Sequence, residues 1–390
     1  MSLKVPLSVK IALRFLLSTG SGNFASYASR LAIFGLSIGV IALLLTTSII
    51  HGFENVMSRK LLSHEGQARI TDILGAPMSV SDTTINSLTK KFDEKLIPFI
   101  NGLAFIRSKS KVEGVFIEGL ENIPSFLSKS KLEKINDGEI ILGKGISSSL
   151  MIKSGDNVFL QSLNDHESIT PYPLIKSFKV RKIYDSGLKE YDNTLVYISK
   201  NDARKILALN SDQISGLIYN GYEDIGSEIR YPYYYETWKE KHELLFRWIS
   251  IQKWPSYIMF GLISLVGLIN LVGAITMITT EKTKQIGILM AQGVPVLFLK
   301  KVFIVQGALV GLIGCLIGGL FTLIFALVQT KFEILSLPSD IYFIDHIPIS
   351  FNLDMFLKIL LFSFLLSTIA SWYPVRNLST HNLAKSLRYE

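Results

Sequence analysis

TTEKTKQIGILMAQGVPVLFLKK, residues 279–301, is a short charged island between two long apolar runs. Upstream stands SYIMFGLISLVGLINLVGAITMITT, and downstream VFIVQGALVGLIGCLIGGLFTLIFALV. About 20 apolar residues rising ~1.5 Å each cross a ~30 Å hydrocarbon layer. Both runs pass that test without one charged side chain, so the island reads as a turn between two spanning helices. The same test selects residues 31–50 and 355–375, the latter carrying only Lys358 near an end, where its stem can snorkel. The run at 31–50 is too long for a signal-peptide core and is followed by HGFENV rather than small residues, so it is expected to be retained.

Composition agrees: of 390 residues 48% are hydrophobic and 18% charged, values typical of a membrane protein. The net charge of +8 is explained by placement. Lys4, Lys10, Arg14 and Arg30 stand before the first run without an acid. Lys282, Lys284, Lys300 and Lys301 surround Glu281 in the island, and Arg376, Lys385 and Arg388 face Glu390 in the tail. Around the third connection Glu333, Asp340, Asp345 and Asp354 outnumber Lys331 and Lys358. Basic short loops stay on the cytoplasmic side. Both termini and the island are therefore expected inside and the long segment outside, with no nucleic-acid partner. Cys315 is the single cysteine, so the external segment holds itself together by its core.

The expected fold is a membrane α-helical protein: four transmembrane helices with a large α+β extracytoplasmic domain inserted between the first and second. Its divisions are a cytoplasmic segment 1–30, helix 31–50, external domain 51–255, helix 256–280, cytoplasmic segment 281–301, helix 302–328, external loop 329–354, helix 355–375 and cytoplasmic tail 376–390. In the external domain EGVFIEGL, DNVFLQSL, FKVRKIYDS, NTLVYIS and SGLIYNGY read as strands. SVSDTTINSLTKKFDEKLIPFI and NDARKILAL read as helices. HGFENVMSRKLLS and ETWKEKHELLFRWISIQKW read as helical stalks continuing the adjoining spans.

Within the island, Thr279 or Thr280 is placed to cap a helix that groups Ile286, Leu289 and Met290 on one face. Glu281, Lys282, Lys284 and Gln285 lie elsewhere, and Gly293 with Pro295 ends the helix. An interfacial turn and a lever moved by a cytoplasmic partner both fit this pattern. Catalytic signatures are weak. GEIILGKG, residues 138–145, fails the phosphate-loop pattern at Gly145, where a hydroxyl is required, and reads as a strand-to-helix turn. The six histidines have no metal-ligand spacing, and Glu139 and Asp156 read as surface acids. Asn270 and Gln306, the large polar residues of the spans, are expected to hydrogen-bond between helices.

TEKTKQIGILMAQGVP followed by KKVFIVQGALVGLIGCLIGG resembles the corresponding segment of ABC transporter permeases of the FtsX/MacB type. IALRFL, HGFENVMSRKLL, ILGKGISSSLMIKSGDNVFL, TWKEKHELLFRW and the closing LRYE extend the resemblance along the chain, nearest to the lipoprotein-releasing LolC/LolE family. The resemblance implies a non-catalytic permease paired with a second, homologous or identical, permease subunit in the bacterial inner membrane. It would bind a LolD-like cytoplasmic ATPase dimer and pass acylated lipoprotein cargo from membrane lipids to a LolA-like periplasmic carrier. ATP and magnesium would sit on the ATPase, with no cofactor on this chain. Glu281, Lys282, Lys284, Gln285, Ile286, Leu289, Met290 and Gly293 would form the coupling helix, its apolar face in a groove of the ATPase. Gln285 stands where many relatives carry an acid, so no specific ion pair is implied there. Thr170, Pro171, Tyr172 and Pro173 would centre a carrier-binding hook, a plain surface loop being the other reading. Gly307, Gly311, Gly314 and Gly318 would serve helix packing or lipid entry. An FtsX-type regulator of a periplasmic hydrolase and a MacB-type exporter are the alternative functions. MacB chains carry their own ATPase, for which 390 residues with a span at 31 are expected to leave no room.

Overall fold

A computed structural model of the chain describes residues 6–17, 24–92, 95–109, 111–124, 133–162, 174–338, 344 and 346–376. Its helices are α1 (Leu7–Leu17), α2 (Phe24–Glu65), α3 (Thr83–Phe92), α4 (Lys144–Leu150), α5 (Lys189–Thr194), α6 (Lys200–Ile206), α7 (Trp238–Lys241), α8 (Glu243–Glu281), α9 (Thr283–Ala291), α10 (Val296–Phe332) and α11 (Leu353–Val375). Its strands are β1 (Ala68–Asp72), β2 (Met78–Ser79), β3 (Leu96–Ser108), β4 (Lys111–Leu120), β5 (Glu139–Gly143), β6 (Asn157–Ser162), β7 (Ile175–Tyr184), β8 (Leu195–Ser199), β9 (Gln213–Ile214), β10 (Gly216–Tyr219) and β11 (Tyr233–Thr237). Among the described residues four helices are long and apolar enough to cross a membrane: Ser29–Glu65, Glu243–Glu281, Val296–Phe332 and Leu353–Val375. Two compact units result, one helical (Met1–Glu54, Arg247–Leu335, Ile347–Glu390) and one built on sheet (Asn55–Phe246, Ser336–His346). Helices α2 and α8 each contribute residues to both.

In the helical unit α10 is lined with glycine where neighbours approach. A Cβ at Gly307 would lie 1.5 Å from Ser371 Oγ and one at Gly311 1.8 Å from Ser367 Oγ, both on α11. Farther along α10, Gly314 and Gly318 would meet Leu36 and Val40 of α2 at 2.9 and 2.8 Å. Ser37 Oγ donates to the Gly314 carbonyl at 3.2 Å, and Cys315 packs with Val40 and Leu44. Without a hydrophobic driving force between helices in lipid, such close backbone approach is what holds them together. α2 also meets α8 through Gly35 and Gly267, and through an ion pair of Glu54 with Lys253 at 3.0 Å. Gln306 departs from expectation: it is fully buried, and both ends of its amide lack a hydrogen-bond partner among the described residues. Helix α1 packs on α10 with Ser8 and Ala12 buried, a helix within the segment 1–30 to which the sequence reading assigned no secondary structure.

In the other unit six strands close into a ring, β3–β4–β8–β5–β7–β6 and back to β3. Alternate side chains fill it, among them Ile106, Ile117, Leu142, Leu160, Val180 and Val196, with Ile146 of α4 and Ala203 of α6 in the same core. β3 is long enough to serve twice: Leu96–Phe99 pairs with β10, and the rest with β4 and β6. Through β10 the sheet continues to β1 and β11, over a second core that includes Ile85 and Leu88 of α3.

The five expected strands correspond to β4, β6, β7, β8 and β10, whereas the expected helix from Ser79 to Ile100 ends at Phe92. Its last residues, LIPFI, instead open β3. Asp82 caps α3, its Oδ1 accepting from the Thr84 amide at 2.8 Å. The GEIILGKG segment is strand β5 running directly into α4; Gly138 before it has φ +80°, and Gly143 and Gly145 are packing requirements. A Cβ at Gly143 would fall 2.2 Å from the Asp192 carbonyl oxygen, and one at Gly145 1.7 Å from Asn193 Oδ1. Its lysine pairs with Asp185 at 2.7 Å.

Because Gly307 faces Ser371 without space, Gly307→Val is expected to destabilise the helical unit by about 1–3 kcal/mol through overpacking. Ser371→Gly in the same chain should restore most of the loss. Thermal melting of the purified protein in detergent reads both, and an unshifted melt for Gly307→Val alone would refute this packing.

Candidate functional site

The island is built as three consecutive helical pieces. α8 does not stop at Thr279 or Thr280 but continues to Glu281, which corrects the expected cap. The threonine hydroxyls turn back into the helix instead: Thr279 donates to the Ile275 carbonyl at 2.7 Å and Thr280 to that of Thr276 at 2.9 Å. Lys282 stands at the start of α9. α9 ends as expected at Gly293, with φ +89°. There the Gly293 amide donates to the Met290 carbonyl and the Val294 amide to that of Leu289, both at 3.0 Å. This is a Schellman ending, which needs a left-handed residue and so favours glycine. Pro295 then precedes α10.

The apolar face of α9 is turned onto its own unit. Ile286 is only 6% exposed and packs in one core with Ile275, Ile278, Leu299, Phe303 and Val375, with Leu289, Met290 and Val294 against it. Packing Ile286 fully and Leu289 and Met290 in part on this core is what folds α9 back against α8 and α10. The outward stripe is Glu281, Lys284, Gln285 and Ile288, spaced one helical turn apart, with Ile288 45% exposed. Leu297 at the start of α10 is also exposed. The surface that this turn offers to a partner is thus mixed polar with isolated aliphatic side chains.

A second constellation, which the sequence reading missed, lies in the sheet unit where α2 ends and α7 leads into α8. Glu65 is nearly fully buried. One carboxylate oxygen accepts from Lys241 Nζ at 2.7 Å and from the Tyr191 hydroxyl, and the other faces Arg69 Nε at 2.5 Å. The Arg69 guanidinium also donates to Glu118 at 3.0 Å and to the His64 carbonyl at 3.1 Å, lying over the Phe99 ring. His64 stacks on Tyr191 at 4.5 Å and its Nδ1 meets the Tyr197 hydroxyl at 2.8 Å, while His242 Nε2 lies 3.2 Å from the Tyr191 hydroxyl. Two carboxylates thus face two cations, which is how buried charge becomes tolerable. Burial and the Glu65 charge raise the Tyr191 pKa, keeping this hydroxyl a donor. Burial pushes the Glu118 carboxyl up and His242 down. The only sequence trace of this cluster was a pair of adjacent ionisable residues at each helix end, HE at 64–65 and KH at 241–242.

The remaining expected sites divide by location. Gly307, Gly311, Gly314 and Gly318 sit at the α10 contacts already described. Thr170, Pro171, Tyr172 and Pro173 lie outside the described residues. Glu139 pairs with Arg181 at 2.8 Å, and Asp156 accepts from the Lys153 amide at 2.8 Å. His64 and His242, distant in sequence, are brought together on Tyr191, in a cluster whose contacts are ionic and aromatic.

Comparison with known proteins bears out the resemblance. A lipoprotein-releasing system transmembrane protein LolC of Xylella fastidiosa is 27% identical, covering 99% of this chain and 99% of its own length. LolC of Neisseria meningitidis is 26% identical over 98% and 99%, and LolE of Haemophilus influenzae is 26% identical over 89% and 90%. Among solved structures, the extracellular domain of the ABC-type transporter YknZ from Gram-positive bacteria covers 42% of this chain and 89% of its own at 15% identity. Its TM-score of 0.26 is too low to assign a fold. Residues 257–383, which take in α9 and the last three of the four long apolar helices, match the FtsX-like permease C-terminal family. Here is a membrane protein similar along nearly its whole length to lipoprotein-releasing transmembrane proteins of both the LolC and the LolE kind, with an FtsX-like permease region at its C-terminal end.

Proposed function

We propose that this chain is a permease subunit of an ATP-driven transporter that extracts lipoproteins from the inner membrane and passes them to a periplasmic carrier. The observation that carries this reading is similarity to LolC and LolE proteins across both the sheet unit and the helical unit. The physics supports a driven process. At ~0.8 kcal/mol per methylene, exposing a triacylated anchor with about 40 methylenes to water costs on the order of 30 kcal/mol, so release needs an external energy source.

In this reading a cytoplasmic ATPase docks on the outward stripe of α9, Glu281, Lys284, Gln285 and Ile288. The inward face, Ile286 with Leu289 and Met290, ties the turn to α8 and α10. Motion of the turn then reaches the sheet unit along α2 and α8; Glu65 at the end of α2 pairs there with Lys241 of α7, which leads into α8. ATP hydrolysis is assigned to the partner, and a second permease subunit completes the complex. A charge-biased topology places the termini and α9 in the cytoplasm and the sheet unit in the periplasm.

Orientation is tested in a Cys315→Ala background. Ser177→Cys, on an exposed position of β7, should react with a membrane-impermeant thiol reagent in intact spheroplasts, and Lys284→Cys should react only after lysis. The reverse pattern would overturn the topology. Docking is tested by co-purified ATPase per permease. Ile288→Asp should reduce it about tenfold or more, equivalent to ~1.4 kcal/mol, at an unchanged melting midpoint. Ile286→Asp should lower the melting midpoint as well, because it buries an unpaired charge. Full ATPase retention by Ile288→Asp would remove this stripe from the interface.

A further inference from the structure

The strand ring has two kinds of outer surface. On β5, β7 and β8 the outward side chains Ile141, Tyr184 and Tyr197 are buried. On β3, β4, β6 and the start of β7 they are not: Phe105, Val112, Phe116, Phe159 and Ile175 are between 39% and 60% exposed. Register sets them side by side, Ile175 opposite Gln161, Gln161 opposite Phe105, and Phe159 and Val112 on either side of Arg107. Opposite Phe105 stands Gly114, where a Cβ would meet nothing within 4 Å. The result is a cavity of about 460 Å³ lined by Phe105, Arg107, Lys109, Val112, Phe159, Gln161 and Ile175. That volume is in the ~300–1,000 Å³ range of small-molecule sites. Its walls are apolar, and its two charged lining residues are both cations, near the β3–β4 turn.

We propose that this face binds an anionic amphiphile, with a hydrocarbon chain across Phe105, Val112, Phe159 and Ile175 and an anionic head on Arg107 and Lys109. Charge complementarity selects the head. The strand pairing selects the chain over a peptide. β3 and β6 are each hydrogen-bonded to neighbours on both sides across the centre of this face, at Phe105, Arg107, Phe159 and Gln161. A peptide laid over that centre finds no free strand edge, and its amides would lose their water without replacement. A hydrocarbon chain has no such groups. This inference stands apart from the transporter reading, since it needs neither ATPase nor cargo.

The test uses the full chain in phosphatidylcholine nanodiscs and dodecyl phosphate carrying a diazirine on its chain, with the matching dodecyl trimethylammonium probe as control. Mass spectrometry after photolysis should map the phosphate probe to the strands bearing Phe105, Val112, Phe159 and Ile175, at least about tenfold over the cationic probe. Arg107→Glu with Lys109→Glu, both at exposed positions, should reverse that preference without changing the melting midpoint. Excess inorganic phosphate should not compete. Equal labelling by the two probes, labelling of other surfaces only, or indifference to the charge reversal would overturn the proposal. Displacement of the phosphate probe by inorganic phosphate would reduce the site to an anion site and overturn it too. So would preference for an acidic apolar peptide, which would assign the face to a protein partner.

Discussion

A buried carboxylate at Glu65 sets the terms for the sheet unit. Removed from water, it is tolerable only with cations in place, and the chain supplies Arg69 four residues onward on β1 and Lys241 from far along the sequence. Arg69 in turn requires Glu118, which fixes the start of β1 against β4. Tyr191 brings α5 into the same cluster, and His64 and His242 fill the space around it. Such a network offers little net stability compared with an apolar equivalent, but breaking it leaves an uncompensated buried charge. It therefore specifies one arrangement of the end of α2 and the residues leading into α8 more strictly than hydrophobic contact would.

The helical unit is organised by the opposite chemistry. There α10 presents glycine first to α11 and, farther along, to α2, and small serines of α11 fill the first seam. Lipid-facing residues along α8 and α11 are apolar and exposed, as expected where the solvent is hydrocarbon. The α9 turn combines both chemistries: an aliphatic face packed inward and a polar stripe left outward. A segment anchored on one side and open on the other can take up a partner without being rebuilt.

Much of this was legible in the sequence, for definite reasons. Spanning helices announce themselves by length and absence of charge, and Gly293 with Pro295 marked the end of α9. Strands bounded by turn residues were found, whereas β3 was not: its LIPFI start follows a helical pattern without a break, and Pro98 and Gly102 disguise a strand. β5 was obscured by its likeness to a phosphate loop. The orientation of α9 could not be read, because its aliphatic face suits a partner's groove and the chain's own core equally. Least visible was the Glu65 cluster, whose members are drawn together from positions more than a hundred residues apart. Periodicity describes one element at a time and carries no such information.

The central claim, which rests on the proposed transporter function, is that the Glu65 cluster fastens the end of α2 and the residues leading into α8 within the sheet unit. Its most direct measurement is lipoprotein released per ATP hydrolysed by the reconstituted complex carrying Glu65→Gln, which keeps the shape of the side chain and removes its charge. The account predicts a fall of about tenfold or more, with hydrolysis retained and the sheet unit still resistant to protease. Release per ATP equal to that of the parent chain would contradict it.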